Sequence, residues 1–311
     1  MKYSYYPGCS LESTSVEYDI STREVFKAFD LTLEEISDWN CCGASSAHSE
    51  SYLLSLALPA RDLAKAEDME STVVAPCPSC YQNLKRAKEY VEKSIENRDR
   101  INKALEGTGL KVEGKVAVKH PLDILINELG LEKLAEKIKV PLEGLRVVTY
   151  YGCMITRPDG SYTFDDMENP MTMDRITLTL GASVLPFTRK TRCCGGPVMV
   201  NNEETALRLS YDILKEAKEA DAQAIIVACP LCHLSLDAKQ PLIEKKYGDK
   251  VNLPIIYFTQ LIGLALGIPE KRLGFDKLII DASGITAKYK PKKKKSKKKK
   301  TTAKAKSITT H

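Results

Sequence analysis

The cysteines constrain this chain more than any other feature. All ten fall into two sets of five with one order: a lone Cys, an adjacent Cys-Cys followed by Gly, then Cys-x-x-Cys. The first set is Cys9, Cys41, Cys42, Cys77 and Cys80, and the second is Cys153, Cys193, Cys194, Cys229 and Cys232. The intervening gaps are 31, 34 and 2 residues in the first set and 39, 34 and 2 in the second, with no cysteine left over. Soft, polarizable ligands repeated at matched spacing suit thiolate metal sites, and two copies predict two sites.

At 311 residues the chain is long enough for two domains, each with its own core. The N-terminal MKYSYYPGCS lacks the basic and apolar regions of a secretory signal, and no run of eighteen apolar residues occurs. A reducing cytoplasm is therefore the expected compartment, where abundant cysteines bind metal or do redox chemistry more often than they form disulfides. Five structural disulfides are the alternative. The formal charge of +5 invites a nucleic-acid reading, but 12 lysines and no acids lie between Lys288 and Lys306. Without them 34 basic residues face 41 acidic ones, so the body is acidic and nucleic-acid binding is not expected of it. Residues 286–311 are expected to be a disordered Lys-rich tail, since KPKKKKSKKKKTTAKAK has no apolar side chain larger than alanine to offset ordering entropy. It reads as a solvated appendage, with a docking arm for an acidic partner or nucleic acid as the alternative.

Short apolar runs lead into the cysteines. Lys2 to Tyr6 precedes Pro7-Gly8-Cys9, Thr72 to Ala75 precedes Pro76-Cys77, Arg146 to Tyr151 precedes Gly152-Cys153, and Ala224 to Ala228 precedes Cys229. These are buried-strand signatures ended by turn residues. Between them Tyr52 to Lys65, Tyr81 to Ile95 and Glu204 to Ala217 carry helical periodicity, so the order is β then α. The chain is accordingly expected to form two duplicated, pseudo-symmetric α/β domains with mainly parallel sheets, each metal site lying beyond the strand ends. Aligning Cys77 with Cys229 sets Val73 and Val74 on Ile225 and Ile226, and Leu84 on Leu236; Val116 to Gly130 likewise matches Leu253 to Gly267. The expected domains are 1–143 and 144–285, with the boundary between Pro141 and Gly144. Glycines beside each adjacent pair, Gly43 and Gly195, permit unusual dihedrals, so backbone N–H groups there are placed to donate to sulfur.

Zinc is the first alternative for the metal, since Cys-x-x-Cys is a common half-site. A structural zinc takes four ligands, however, and each set offers five, two of them adjacent and hard to aim at one small ion. A polynuclear cluster spreads its ligand positions and neutralises more thiolate charge, so iron–sulfur is expected over zinc. A thioredoxin-like use of the two Cys-x-x-Cys motifs leaves six cysteines unexplained. The chain has none of the tight C-x₂-C-x₂-C runs of small ferredoxins.

These residues resemble the cysteine-rich CCG-domain family, most closely the B subunit of heterodisulfide reductase and related complexes, over roughly residues 1 to 285. The resemblance implies one non-cubane [4Fe–4S] cluster per domain: Cys9, Cys41, Cys42, Cys77 and Cys80 would hold one, and Cys153, Cys193, Cys194, Cys229 and Cys232 the other. It also implies that the two clusters face one another and cleave a disulfide such as coenzyme M-S-S-coenzyme B, each supplying one electron and taking one sulfur. Its implied partners are a ferredoxin-like C subunit and a flavin-bearing A subunit. The competing reading is a non-catalytic electron-transfer or docking subunit, as in lactate, glycolate or succinate oxidoreductases.

Around the cysteines, His48 and His233 are candidate proton donors to a departing thiolate, or hydrogen-bond donors to a cluster-bound sulfur. His120, ahead of Pro121, is a helix-entry residue or a catalyst. Arg157 is a candidate partner for an anionic substrate group, or an exposed loop arginine. Trp39 is expected to shield the first site.

Overall fold

The computed structural model describes residues 1–44, 46–157 and 164–290. Among the described residues eight strands run in chain order: β1 (Lys2–Tyr5), β2 (Thr32–Glu35), β3 (Val73–Val74), β4 (Val118–Lys119), β5 (Arg146–Tyr150), β6 (Ser183–Val184), β7 (Ala224–Val227) and β8 (Ile255–Tyr257). They form two four-stranded sheets of orders β2-β1-β3-β4 and β6-β5-β7-β8, every pairing parallel. The fold is the expected duplicated α/β architecture, helices alternating with strands in each copy. β7 (AIIV) is buried throughout, as a central parallel strand covered on both faces must be, whereas the edge strand β2 (TLEE) is largely exposed and carries two glutamates.

Strand order decides where a site can lie. In each sheet the chain reverses its direction of travel between the first and third strands, β1 and β3 or β5 and β7, and ligands bind beyond the carboxyl ends at such a switch. Cys9 and Cys77 follow β1 and β3, and Cys153 and Cys229 follow β5 and β7. Topology alone therefore brings the first and fourth cysteine of each set to one crevice.

The two halves share one continuous core. Helix Val16–Ala28 of the first half supplies most of the join: Tyr18 stacks on Tyr257 at 4.1 Å, the Ser21 and Thr259 hydroxyls lie 2.7 Å apart, and Arg272 donates to Glu24 at 2.5 Å. Phe164 of the second half reciprocates by stacking on His120 of the first, with centroids 6.0 Å apart.

Two expectations change. The helix expected over Tyr81 to Ile95 is Pro78–Lys93; it stops at Ser94, whose extended backbone and hydroxyl cap a further helix, Ile95–Leu105. The tail does not begin at 286. Ser283–Lys288 is helical and Tyr289 is buried, its hydroxyl donating to the Glu143 carbonyl at 3.0 Å, because this aromatic ring has apolar surface to cover. The remainder, 291–311, lies outside the described residues.

Candidate metal centres

Each set of cysteines is assembled by the same local devices. Cys77 and Cys229 are the N-caps of helices Pro78–Lys93 and Pro230–Asp237, with proline at the first helical position and Cys80 or Cys232 two residues further on. A helix N-terminus presents unpaired N–H groups and favours thiolate, and the Cys229 thiol is lowered chiefly by hydrogen bonding from Cys232, then by the backbone N–H groups of Cys232 and Leu231. The adjacent pairs sit in loops turned by Gly43 and Gly195, at φ +73° and +81°. As the glycine placement predicts, Gly195 N–H donates to Cys193 Sγ and Gly196 N–H to Cys194 Sγ, both at 3.4 Å. In the first half the N–H groups of Gly43 and Ala44 act likewise on Cys41 and Cys42.

The sulfurs crowd together. Cys41 Sγ lies 3.9 Å from Cys9 Sγ, and Cys42 Sγ lies 3.5 Å from Cys80 Sγ. Hydrogen bonds from Cys41 and Cys80 pull the Cys42 thiol far down, and the same bonds push Cys41 and Cys80 up. In the second set Cys193 is pulled down by Cys153 and Cys194, while Cys153 and Cys232 rise. Three of each five are buried; Cys9 and Cys41 are exposed, and Cys153 and Cys193 are half-buried. Two carbonyls are held from opposite positions of the repeat: Asn83 Nδ2 donates to Cys42 O at 3.0 Å, and Ser210 Oγ to Cys194 O at 2.8 Å.

Each crevice is kept open by a glycine. Gly8 and Gly152 precede the first cysteine of each set at φ +70° and +72°, and a Cβ built there would lie 2.9 Å from Cys80 Sγ or 3.0 Å from Cys232 Sγ. Five soft donors, N–H groups aimed at sulfur and a crevice that admits no Cβ fit a polynuclear iron–sulfur group.

The surrounding residues divide. Burial pushes His120 down to about 3; its Nε2 pairs with Pro76 O at 2.8 Å and its Nδ1 accepts from Leu122 N–H at 3.2 Å, which is the helix-entry role. His233, directly after Cys232, lies in the join between the halves. Burial holds it neutral, with its pKa lowered to about 4, its Nε2 on Ile255 O at 3.2 Å, its Nδ1 facing Glu17 at 3.8 Å and its ring stacked on Tyr257. His48 is exposed in the short helix Ala47–Glu50, Arg157 is exposed one turn after Cys153, and Trp39 packs edge-on against Tyr6 beside Cys41.

Residues 3–85 and 147–237 each match the model of the cysteine-rich CCG domain. The chain belongs to the CCG family. It is 34% identical over 282 residues to the 8-methylmenaquinol:fumarate reductase membrane anchor subunit of Wolinella succinogenes, covering 91% of this chain and 98% of that one. It is 29% identical over 279 residues to the B subunit of the ferredoxin:CoB-CoM heterodisulfide reductase of Methanosarcina mazei, covering 89% and 93%. Both relatives are subunits of reductases. A hypothetical protein from Helicobacter pylori shares the fold with a TM-score of 0.72 at 14% identity; the match covers 90% of this chain, which spans about half of that longer protein. As expected from the hydropathy, among the described residues no helix is long and apolar enough to cross a membrane.

Sequence reasoning did not single out Tyr18, Tyr257, Glu17 or Phe164. Each acts across the join, and a contact between halves leaves no local periodicity. Gly8 and Gly152 were visible, one residue before the first cysteine of each copy.

Proposed function

We propose that this CCG protein is the catalytic subunit of a heterodisulfide-reductase-type complex that reduces, or reversibly forms, a disulfide between two non-cubane [4Fe–4S] centres. Cys9, Cys41, Cys42, Cys77 and Cys80 would hold one, and Cys153, Cys193, Cys194, Cys229 and Cys232 the other, in domains taken as 1–143 and 144–285. When bound, two such centres supply the two single electrons that cleavage of one disulfide requires. The observation that carries the reading is the joining of the two cysteine sets across one interface. Tyr18 donates to Pro76 O, beside Cys77, at 3.2 Å and stacks on Tyr257 of the second half at 4.1 Å, and Gln82, two residues after Cys80, donates to the carbonyl of Met154, one residue after Cys153, at 3.1 Å.

The chain's own residues provide the rest. Gly8 and Gly152 keep room beside the innermost cysteines. Stacked Tyr18, Tyr257 and His233 exclude water from the join. Electrons would come from a ferredoxin-like C subunit and a flavin-bearing A subunit in the cytoplasm, since the chain has no flavin or nicotinamide motif of its own.

A second reading is favoured by the similarity to a fumarate reductase anchor subunit: an electron-transfer subunit that cleaves no disulfide. Anaerobic isolation with iron and sulfide analysis should give about four irons per set of five cysteines. Turnover of a disulfide panel with reduced dye then separates the two. Thiol release supports the reductase; intact centres with no thiol release from any disulfide would leave the electron-transfer reading.

A further inference from the structure

The two cysteine sets are alike in spacing but not in the charge at their mouths. The residue four after the first cysteine is Ser13 in the first copy and Arg157 in the second; the residue before the adjacent pair is Asn40 in the first and Arg192 in the second. The neutral counterparts are bonded inward: Ser13 Oγ donates to Cys9 O at 2.7 Å, and Asn40 Nδ2 donates to Cys41 O and Leu58 O. Glu12 is exposed beside Ser13, and Asp38 is paired with Arg61 and Lys65, Arg61 also donating to Asn40 Oδ1 at 2.9 Å.

At the second set the charges are arranged differently. Lys190 is tied to Asp174 at 2.6 Å, and Arg189 to Glu216 at 3.0 Å and Asp212 at 3.9 Å. The Asp165 carboxylate accepts backbone N–H groups of Asp166, Met171 and Thr172, and Asp166 those of Glu168 and Asn169. Arg157 and Arg192 are both exposed, and among the described residues neither side chain has an ion-pair or hydrogen-bond partner. Their backbones are nonetheless fixed. Tyr150 Oη donates to Arg192 O at 2.6 Å, Arg157 N–H to Cys153 O at 3.0 Å, and the Lys190 carbonyl clamps the two segments by accepting from both Tyr151 and Gly152. Two arginines without a side-chain partner among the described residues thus sit on fixed backbone, one turn after Cys153 and immediately before Cys193, the two cysteines of that set that are not buried.

We propose that Arg157 and Arg192 recognise the anionic end of a thiol or disulfide substrate at the second cysteine set, so that a substrate with one charged end is held in a single orientation. This rests on the disulfide reading above. Guanidinium forks match carboxylate, sulfonate and phosphate groups alike, so the shared feature is an anion beside a sulfur. At the first mouth the cations near Asn40, Arg61 and Lys65, are already engaged by Asp38, and Arg61 also donates to Asn40 Oδ1 at 2.9 Å, so neither offers a free fork to the same group.

The test uses the full chain isolated anaerobically with its iron, and two thiols of equal length: 3-mercaptopropionate and 3-mercapto-1-propanol. Binding is read from perturbation of the visible and EPR spectra, without turnover. The carboxylate thiol is expected to bind about tenfold tighter at low salt, the range for partly exposed charge pairs, with the preference shrinking as salt rises. In Arg157→Gln/Arg192→Gln the preference should vanish while affinity for the alcohol stays, which also shows the variant is folded; Arg157→Lys/Arg192→Lys should restore part of it. Equal affinities in the unmodified protein, or a preference surviving in the Gln variant, would overturn the inference alone. No perturbation by either thiol would overturn the disulfide reading and this inference with it.

Discussion

Adding one methyl group beside each crevice tests the idea that the crevices are built for a bulky group. Gly8→Ala imposes two costs that can be worked separately. Its φ of +70° is in the left-handed region, where a Cβ costs roughly 1–2 kcal/mol. The new Cβ would also lie 2.9 Å from Cys80 Sγ, and Tyr6 Cε1 lies at 3.2 Å on another side, so the sulfur must give way. Overpacking of this kind costs about 1–3 kcal/mol, making about 2–5 kcal/mol in all. Since Cys80 is a proposed ligand, displacement should be felt as loss of the first centre more than as global unfolding. Gly152→Ala should do the same to the second, its Cβ falling 3.0 Å from Cys232 Sγ. The assay is iron per chain and EPR after anaerobic isolation: each single variant should keep about half its iron and the other centre's signal, and the double variant should keep neither. Gly107→Ala, where a Cβ meets nothing within 4 Å, is the control. A Gly8→Ala protein with full iron and both signals unchanged would refute the argument.

Other substitutions separate the two centres or probe the join. Cys42→Ala and Cys194→Ala should each remove one spectral component and spare the other; simultaneous loss of both would count against independent sites. Asn83→Ala and Ser210→Ala each leave a buried cysteine carbonyl unpaired, at about 1–3 kcal/mol of stability, seen as a lower urea midpoint. Burial chiefly raises Glu17 to about 7, with Asp237 adding to and Lys277 opposing the effect. The native state then holds the proton more tightly than the unfolded chain, so stability should fall as pH rises from about 4.5 to about 7 and be flat above. Glu17→Gln should therefore stabilise at pH 8 by at most about 3 kcal/mol and have no effect at pH 4; equal urea midpoints of both proteins at pH 8 would exclude this.

Much of the fold was legible because its signals are local. The buried runs ending at Cys9, Cys77, Cys153 and Cys229 are strands, and the amphipathic segments Tyr52 to Lys65 and Glu204 to Ala217 lie within helices Tyr52–Glu67 and Glu203–Glu219. The edge strands β2 and β6 were not legible: Thr32–Glu35 is mostly exposed and Ser183–Val184 is two residues long, so neither has an apolar run to announce it. The thiol sets could be read from spacing, but the contacts of His233 could not. Adjacency to Cys232 in sequence pointed to sulfur, whereas the side chain of a helical residue faces whatever packs there, in this case Glu17 and Tyr257.

The exchange of residues between copies explains why a duplicated chain need not have two identical sites. Aligning Cys77 with Cys229 sets Tyr81 on His233, and the match of Val116 to Gly130 with Leu253 to Gly267 sets His120 on Tyr257. The tyrosine–histidine contact is kept in both halves with its members swapped, edge-on at 6.0 Å in the first and stacked at 4.5 Å in the second. Ring area buried behind each site is thereby preserved, which is what packing requires, while the polar atoms change places. Asn83 and Ser210 follow the same logic, one carbonyl held in each copy from different elements. At the mouths the copies diverge into the inward-bonded Ser13 and Asn40 against the exposed Arg157 and Arg192. Two crevices alike in shape and unlike in charge suit a substrate whose two sulfurs carry different groups. A symmetric disulfide would give no reason for the difference, so a substrate survey in which symmetric anionic disulfides turn over fastest would remove the argument from asymmetry.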